Sequence, residues 1–286
     1  MTNTSTPVVL VTGTSTGIGL STAVALAGAG WTTIATMRDL GKADALRSAA
    51  SEAGVALDIR SLDVTDHDDV ASTIDAVIAE HGHLDAVINN AGAGALGTIE
   101  AMSLDRVRAA MEVNFFGVVD VTKTALPHLR ASRGRLVTVT SVGGVVGQPF
   151  NEVYCAAKFA VEGFMESLHP VMKNLGVAVS VVEPGPVMTE FVANSDADRE
   201  ALVTGADDVY LPAIESYLAR TRQAFAPGNA QTADDVASVI LSTLTADDPA
   251  FRVQTSAAAT GFTAIKLADL DGSAVTGLTA GWVATA

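Results

Sequence analysis

Short apolar runs alternate with longer segments of helical periodicity along almost the whole chain. The runs at 8–12, 32–37, 57–62, 86–89, 136–141, 177–183 and, more weakly, 251–254 are brief, rich in valine and without a polar face. A strand that is apolar on both sides is one that the fold covers on both sides. Between them, 19–29, 40–53, 70–81, 104–130, 153–175 and 232–246 repeat their apolar positions with helical spacing. This β-α alternation predicts one α/β domain over residues 1–286, a doubly wound parallel sheet with helices on both faces. Two stretches fall outside the pattern. Residues 188–228 are long for a connector and read as a lid over a substrate site, whereas 256–286, rich in alanine, threonine and glycine, read as a C-terminal extension.

Composition narrows the partners. The formal charge of −15, from 32 acidic and 17 basic side chains, argues against nucleic acid or an anionic membrane as the main partner. An amino terminus without a basic flank and long apolar core, and no apolar run long enough to span a bilayer, point to a cytoplasmic protein without an integral membrane segment. The single cysteine, Cys155, cannot form an internal disulfide, which fits a reducing compartment. The five histidines, at 67, 81, 83, 128 and 169, share no metal-ligand spacing, so no metal is expected.

The first strand runs into "TGTSTGIG", a glycine-bearing turn that opens a helix. Gly13, Gly17 and Gly19 let the backbone turn sharply and bring helix N–H groups against a pyrophosphate. The spacing, G-x-x-x-G-x-G, departs from the G-x-G-x-x-G fingerprint. An acid at the end of the second strand would bind the ribose 2′-hydroxyl of NAD, but that position is Met37, and Arg38 follows with a guanidinium suited to a 2′-phosphate. NADP(H) is favoured and NAD(H) remains possible, since Asp39 could instead neutralise Arg38.

In "YCAAK", Tyr154 and Lys158 lie four apart on a helical segment and project from one face. Bringing a tyrosine from a pKa near 10 to neutrality requires about 4 kcal/mol, which a close ammonium and a cationic nicotinamide could supply. Ser141 ends the strand "RLVTVTS" at the edge of the sheet where ligands bind in such folds, although serine there is more often a cap or turn residue. Asn114 interrupts an apolar helical run, as a kink or water-holding position would.

The ordered set "TGTSTGIG", "LDV" at 62–64, "NNAG" at 89–92, Asn114, Ser141, "YCAAK" and "PGPVMT" at 184–189 resembles the short-chain dehydrogenase/reductase family, with a match over about residues 8–255. The resemblance implies a Rossmann-like fold. It assigns Tyr154 as acid/base, Lys158 to the phenol and the nicotinamide ribose, Ser141 to the substrate oxygen, and Asn114 to a proton relay. It adds Ser15, Thr16 and Ile18 to the phosphate loop, Asp63 and Val64 beside the adenine, and Asn90, Ala91, Gly92, Pro184, Gly185, Val187 and Thr189 along the cofactor. The longer stretch "GQPFNEVYCAAKFAVEGFMESL" is similar to the branch that holds estradiol-type 17β-hydroxysteroid dehydrogenases and retinol dehydrogenases. By that similarity Val142, Gly143, Gln148, Pro149, Asn151 and Pro186 join Ser141 and Tyr154 in the substrate pocket, with Phe191, Tyr210, Leu211, Tyr217 and Phe225 as candidate lid residues.

The expected function is NADP-dependent interconversion of a secondary alcohol and a ketone on a hydrophobic small molecule, a 17β-hydroxysteroid. A broad carbonyl reductase or retinol-type dehydrogenase is the alternative, and an idle NADP-sensing regulator is the alternative of another class. Family resemblance also implies a homodimer or homotetramer through the helices around 104–130 and 153–175.

Overall fold

The computed structural model describes residues 6–189, 202–203, 206–226 and 228–284. Seven parallel strands form the sheet in the order β3-β2-β1-β4-β5-β6-β9. They are β1 (Val8–Thr12), β2 (Thr32–Met37), β3 (Asp58–Ser61), β4 (Ala86–Asn89), β5 (Arg135–Val139), β6 (Ala178–Glu183) and β9 (Arg252–Gln254). The inner strands β1 and β4 are wholly buried, as the apolar runs 8–11 and 86–88 that make up most of them require. The order reverses between β1 and β4, which leaves a crevice at the carboxyl ends of these two strands.

Helices α1 (Gly17–Gly28) and α2 (Asp44–Ala53) lie on one face together with α8 (Ala233–Thr245). Leu26 of α1 and Val236, Ile240 and Leu244 of α8 close that core against Val9, Val11 and Ile88. The other face carries α3 (His67–His81), α5 (Gly117–Ser132) and α6 (Glu152–Asn174). Their Ile74, Val121, Leu129, Val161 and Met165 pack on Leu10, Val87, Leu136 and Val179.

The expected helix over 104–130 proves to be two. A π-turn at Glu112–Phe116 separates α4 (Leu104–Met111) from α5, and the Gly117 N–H reaches back to the Glu112 carbonyl. The edge strands are shorter than their apolar runs because each strand stops where pairing with its neighbour stops. Beyond the regular alternation lie a small two-stranded sheet of β7 (Val187–Met188) with β8 (Gln231–Thr232), and α7 (Leu211–Ala224) within the long insertion. The tail folds as α9 (Ala257–Ala268) and α10 (Ser273–Ala280). Phe262 and Trp282 of the tail pack with Tyr217 of α7 and with Leu96 and Phe150, so insertion and tail share one apolar cluster.

Candidate active site

The crevice begins at the Thr12 side chain. Its Oγ1 accepts from the Asn90 and Ala91 N–H groups, both at 3.0 Å, while the Asn90 amide donates to the Thr12 and Gly13 carbonyls at 2.9 and 3.0 Å. These bonds join "NNAG" to the glycine turn. Gly13 and Gly17 have positive φ, 71° and 57°, which non-glycine residues adopt only at a cost. A Cβ on Gly19 would lie 2.2 Å from the Gly13 carbonyl oxygen. The amino terminus of α1 has no side-chain cap and no acid in its first turn, unlike α3, where Asp66 caps the helix and Asp68 and Asp69 follow. Free N–H groups ringed by glycine and without nearby carboxylates fit an anionic diphosphate. Ser15, Thr16 and Ile18 lie in this half-buried turn, and Thr189 packs its side chain against Gly17.

Farther along the crevice, Met37 is buried and Arg38 is exposed. Asp39 does not take up the guanidinium: its carboxylate accepts the Gly41 N–H at 2.9 Å as a cap, and Arg38 forms no ion pair among the described residues. Asp63 uses one carboxylate oxygen to hold the Thr65 N–H and hydroxyl, and Val64 packs tightly on Gly117.

The chemical groups meet where β5 ends. That strand stops at Val139, two residues short of Ser141, because the chain there turns into a 3-10 segment at Val142–Gly144. Ser141 Oγ accepts the Gly143 N–H at 2.9 Å, so the serine is a turn cap as well as a hydroxyl facing the crevice. A Cβ placed on Gly143 would meet Ser141 Oγ at 3.3 Å, Tyr154 Cε1 at 3.4 Å and Gln148 Nε2 at 3.3 Å. Those three side chains therefore converge around Gly143. Tyr154 hydrogen-bonds Ser141. Lys158, buried, has its Nζ 5.9 Å from the centre of the Tyr154 ring and donates to the Val139 carbonyl at 3.1 Å.

Asn114 sits in the π-turn and is fully buried. Its Nδ2 donates to the Ala110 and Ala93 carbonyls, both at 2.9 Å, and its Oδ1 accepts the Ala93 N–H at 3.2 Å. A Cβ on Gly92 would come within 3.0 Å of Asn114 Oδ1 and 3.7 Å of Lys158 Nζ, so these two groups border the same glycine.

The depressed tyrosine expected from the sequence counts on a cationic nicotinamide as well as the ammonium, and the protein alone does not lower the phenol. Burial pushes the Tyr154 phenol up to about 12, with the Ser141 hydrogen bond opposing it and Cys155 adding to it. Burial also pulls the Lys158 ammonium down to about 8, against the field of Glu162. The phenol therefore rests neutral, as a proton donor, and its ionisation needs added positive charge nearby.

Other candidate residues divide by position. Asn151 Nδ2 donates to the Tyr217 hydroxyl, and Pro149 lies beside that contact. The Val142 N–H donates to the Pro184 carbonyl at 2.9 Å. Pro186 accepts from the Gln231 N–H at 3.0 Å, Gly185 packs toward Ala259, and Val187 is buried in β7, so "PGPVMT" runs between the glycine turn and the tail. Phe191 lies outside the described residues. Cys155 is buried and its thiol is pushed up to about 11 by burial, as expected of a packed residue. His81 joins Asp58 and Glu80 in one surface group, but the Arg60 guanidinium pairs with both carboxylates and occupies the place of a cation.

Sequence reasoning missed two features. Phe150 holds a left-handed φ of 60°, with its ring centre 5.4 Å from that of Tyr217, a conformation that a phenylalanine at that position does not signal. It also missed a buried charge cluster of Glu162, Glu183 and Arg252. Burial pushes Glu183 up to about 7 despite a hydrogen bond from Gln254. A carboxyl whose folded value exceeds its unfolded one favours the folded state below the unfolded value, and that advantage fades as pH rises through the folded value. The melting temperature is expected to rise by a few degrees between pH 8 and pH 5.5, about 2 kcal/mol from this one group. Lys158, pulled down to about 8, begins to lose its proton only at the upper end of that window, where it offsets part of the Glu183 slope. Differential scanning calorimetry of the wild type and Glu183→Gln checks this, and a melting point that falls steadily on acidification would contradict it.

A family model described as short chain dehydrogenase matches residues 7–200. Retinol dehydrogenase 8 of Bos taurus is 39% identical over 254 residues, covering 85% of this chain and 78% of that protein. The 17-beta-hydroxysteroid dehydrogenase type 1 of Homo sapiens is 38% identical over 244 residues, covering 84% and 73%. A short-chain dehydrogenase/reductase from Burkholderia phymatum, solved in complex with NAD, superposes with a TM-score of 0.79 over 95% of this chain and 96% of that one; at 24% identity this likeness shows the fold. With the glycine turn, the serine–tyrosine–lysine convergence and the parallel sheet, these matches identify the chain as a member of the short-chain dehydrogenase family, the NAD(P)-dependent oxidoreductases that act on CH–OH groups.

Proposed function

We propose that the chain interconverts a secondary alcohol and a ketone on a hydrophobic substrate, with Tyr154 as the proton donor and acceptor and NADP(H) as coenzyme. The observation that carries this is the meeting of Ser141 and Tyr154 around Gly143 with the Lys158 ammonium beneath the ring. Ser141 holds the substrate oxygen by its hydroxyl. Tyr154 gives that oxygen a proton in reduction and takes it back in oxidation. Lys158 stabilises the phenolate that forms, and Asn114, on the other side of Gly92, orders the groups that return the proton to Lys158. When bound, the nicotinamide supplies or accepts the hydride.

The glycine turn and uncapped α1 suit the coenzyme diphosphate, with Asn90, Ala91, Gly92 and the 184–189 segment along its length. The NADP preference rests on Arg38, exposed and in no ion pair among the described residues, and on Met37 where NAD selectivity would want an acid.

The substrate reading is a 17β-hydroxysteroid. Its support is the named relatives and the apolar cluster of Leu96, Phe150, Tyr217 and Trp282 that brings insertion and tail together beside the 148–151 loop. In this reading residues 188–228 form a lid and 256–286 its support, with the Arg220 guanidinium 4.0 Å from the Trp282 ring. The Gln148 amide at the pocket wall favours the second reading, a broad carbonyl reductase or retinol-type dehydrogenase. A coenzyme-sensing protein without turnover is the reading left if chemistry is absent.

Exposed Phe116 and Phe159 on the helices around 104–130 and 153–175 support a homodimer or homotetramer. Among the described residues no helix is long and apolar enough to cross a membrane, and the lone buried cysteine agrees with the reducing cytoplasm.

The test follows NADPH and NADH absorbance with estrone and with simple aryl ketones. Faster turnover of estrone with NADPH, and loss of the preference for NADPH over NADH in Arg38→Leu, is the expected result. Turnover of aryl ketones alone would remove the steroid, equal use of the two coenzymes by the wild type would remove the role of Arg38, and silence with every ketone would leave the sensing protein.

A further inference from the structure

One helical turn beyond Lys158, on the side away from Tyr154, α6 carries Glu162 into the protein. Its side chain is 6% exposed, and its Oε2 lies 3.1 Å from Nη2 of Arg252 on β9. The same guanidinium brings Nε within 2.6 Å of Glu183 Oε1 at the end of β6, close in distance but off-line for a hydrogen bond. Its Nη2 also meets Glu166 Oε2 at 3.1 Å on the solvent side of α6. Gln254, two residues beyond Arg252, donates to Glu183 Oε2 at 2.9 Å. Three carboxylates from a helix and a strand thus share one cation.

Such a cluster is poorly explained by stability. Burying ions costs about as much as their attraction returns, and apolar residues of similar volume usually serve a core as well. What the cluster does possess is location. Lys158 is a buried ammonium, and Glu162 is the acidic group that acts on it.

We propose that Glu162 and Arg252 are positioning residues for Lys158: the guanidinium holds the Glu162 carboxylate ionised inside the protein, and that carboxylate keeps the ammonium charged beneath Tyr154. This rests on the reading of Tyr154 and Lys158 as the proton-transfer pair.

The surrounding groups agree with it. Burial alone pushes Glu162 upward and Lys158 downward, toward two neutral side chains, while Arg252 opposes the first shift and Glu162 the second. From its own helix, Glu162 faces Lys158 and Glu166, with His169 farther along, turned to the Val179 carbonyl. Glu183 faces it from β6, Arg252 from β9 and the neutral Thr140 from the end of β5. Glu166 and Glu183 both repel it, so Arg252 is the cation, besides Lys158 itself, that favours an ionised Glu162 among these neighbours. Tyr154 and Asn114 complete the surroundings of Lys158, and neither carries a negative charge at neutral pH.

The chain has only five lysines, so a sample labelled with 13C at the lysine Cε gives few signals, and Lys158→Met identifies the one that matters. In Glu162→Gln, which keeps the volume and an acceptor for Arg252, the Lys158 titration midpoint is expected to fall by about one pH unit. Arg252→Met should lower it in the same direction, and Arg252→Lys should restore it toward the wild type. The high-pH limb of kcat/KM for alcohol oxidation should move with the midpoint, while melting curves show which variants remain folded. A midpoint that stays put in folded Glu162→Gln overturns the proposal, as does a midpoint that moves without the kinetic limb. A wild type with no Tyr154-dependent turnover defeats the reading of function instead, and the NMR midpoint still decides whether Glu162 sets the charge of Lys158.

Discussion

Replacing Tyr154 by phenylalanine is expected to lower turnover by about 10²–10⁴-fold in both directions, the usual worth of a positioned general acid/base. The loss should fall on kcat, with coenzyme affinity unchanged. The phenol touches Ser141 and borders Gly143, whereas the glycine turn that suits the diphosphate is formed by β1 and α1. Stability should change little, since the ring stays in its cluster with Ala95, Met102 and Val107 and the loss of the Ser141 hydrogen bond costs about 1 kcal/mol. The direction of the pH dependence follows from the same site. Tyr154 rests as a neutral donor, so ketone reduction should hold at neutral pH and decline as Lys158 loses its proton near pH 8. Stopped-flow and steady-state assays with Tyr154→Phe read the effect. Full activity in a folded variant would remove Tyr154 from the chemistry.

The second large effect is expected at Gly19. An alanine there drives a methyl group to 2.2 Å from the Gly13 carbonyl oxygen and 2.4 Å from Asn90 Nδ2. Neither neighbour can yield easily. The carbonyl is backbone in a turn that already uses a positive φ, and the amide is held by the Thr12 and Gly13 carbonyls. Relief requires moving the turn away from "NNAG", which costs about 1–3 kcal/mol of stability as overpacking. The same movement displaces the α1 N–H groups, so NADPH binding should weaken by at least about tenfold, equivalent to about 1.4 kcal/mol. Urea unfolding and fluorescence titration with NADPH measure the two losses separately. Wild-type values in both would mean that this turn is looser than its contacts imply.

Much of this arrangement was legible beforehand because it depends on local chemistry. Valine-rich runs gave the inner strands, and Tyr154 and Lys158 needed only helical spacing to share a face. Glycine turns are equally local. What escaped the sequence was long-range. Glu162, Glu183 and Arg252 are unremarkable surface types in a linear reading, and only the pairing of β6 with β9 beside α6 makes them one buried cluster. The tail was unreadable for a similar reason. Its helices are rich in small residues, and what orders them is the company of Phe262 and Trp282 with an insertion some 50 positions earlier in the chain. For Tyr154, spacing shows an ammonium nearby but says nothing of how dry the pocket is, and burial raises the phenol in the protein alone.

The π-turn at Glu112–Phe116 has a consequence for anyone redesigning this chain. Its extra residue rotates everything before it by about 100° relative to a continuous α-helix. Deleting one residue would make the helix regular and improve every score based on local geometry. It would also swing Leu104–Met111 off its packing against α6 and withdraw the Asn114 amide from the Ala110 and Ala93 carbonyls. A repair that looks like an improvement on paper would dismantle the wall beside Lys158, so the irregularity is a specification to be copied and not a flaw to be smoothed away.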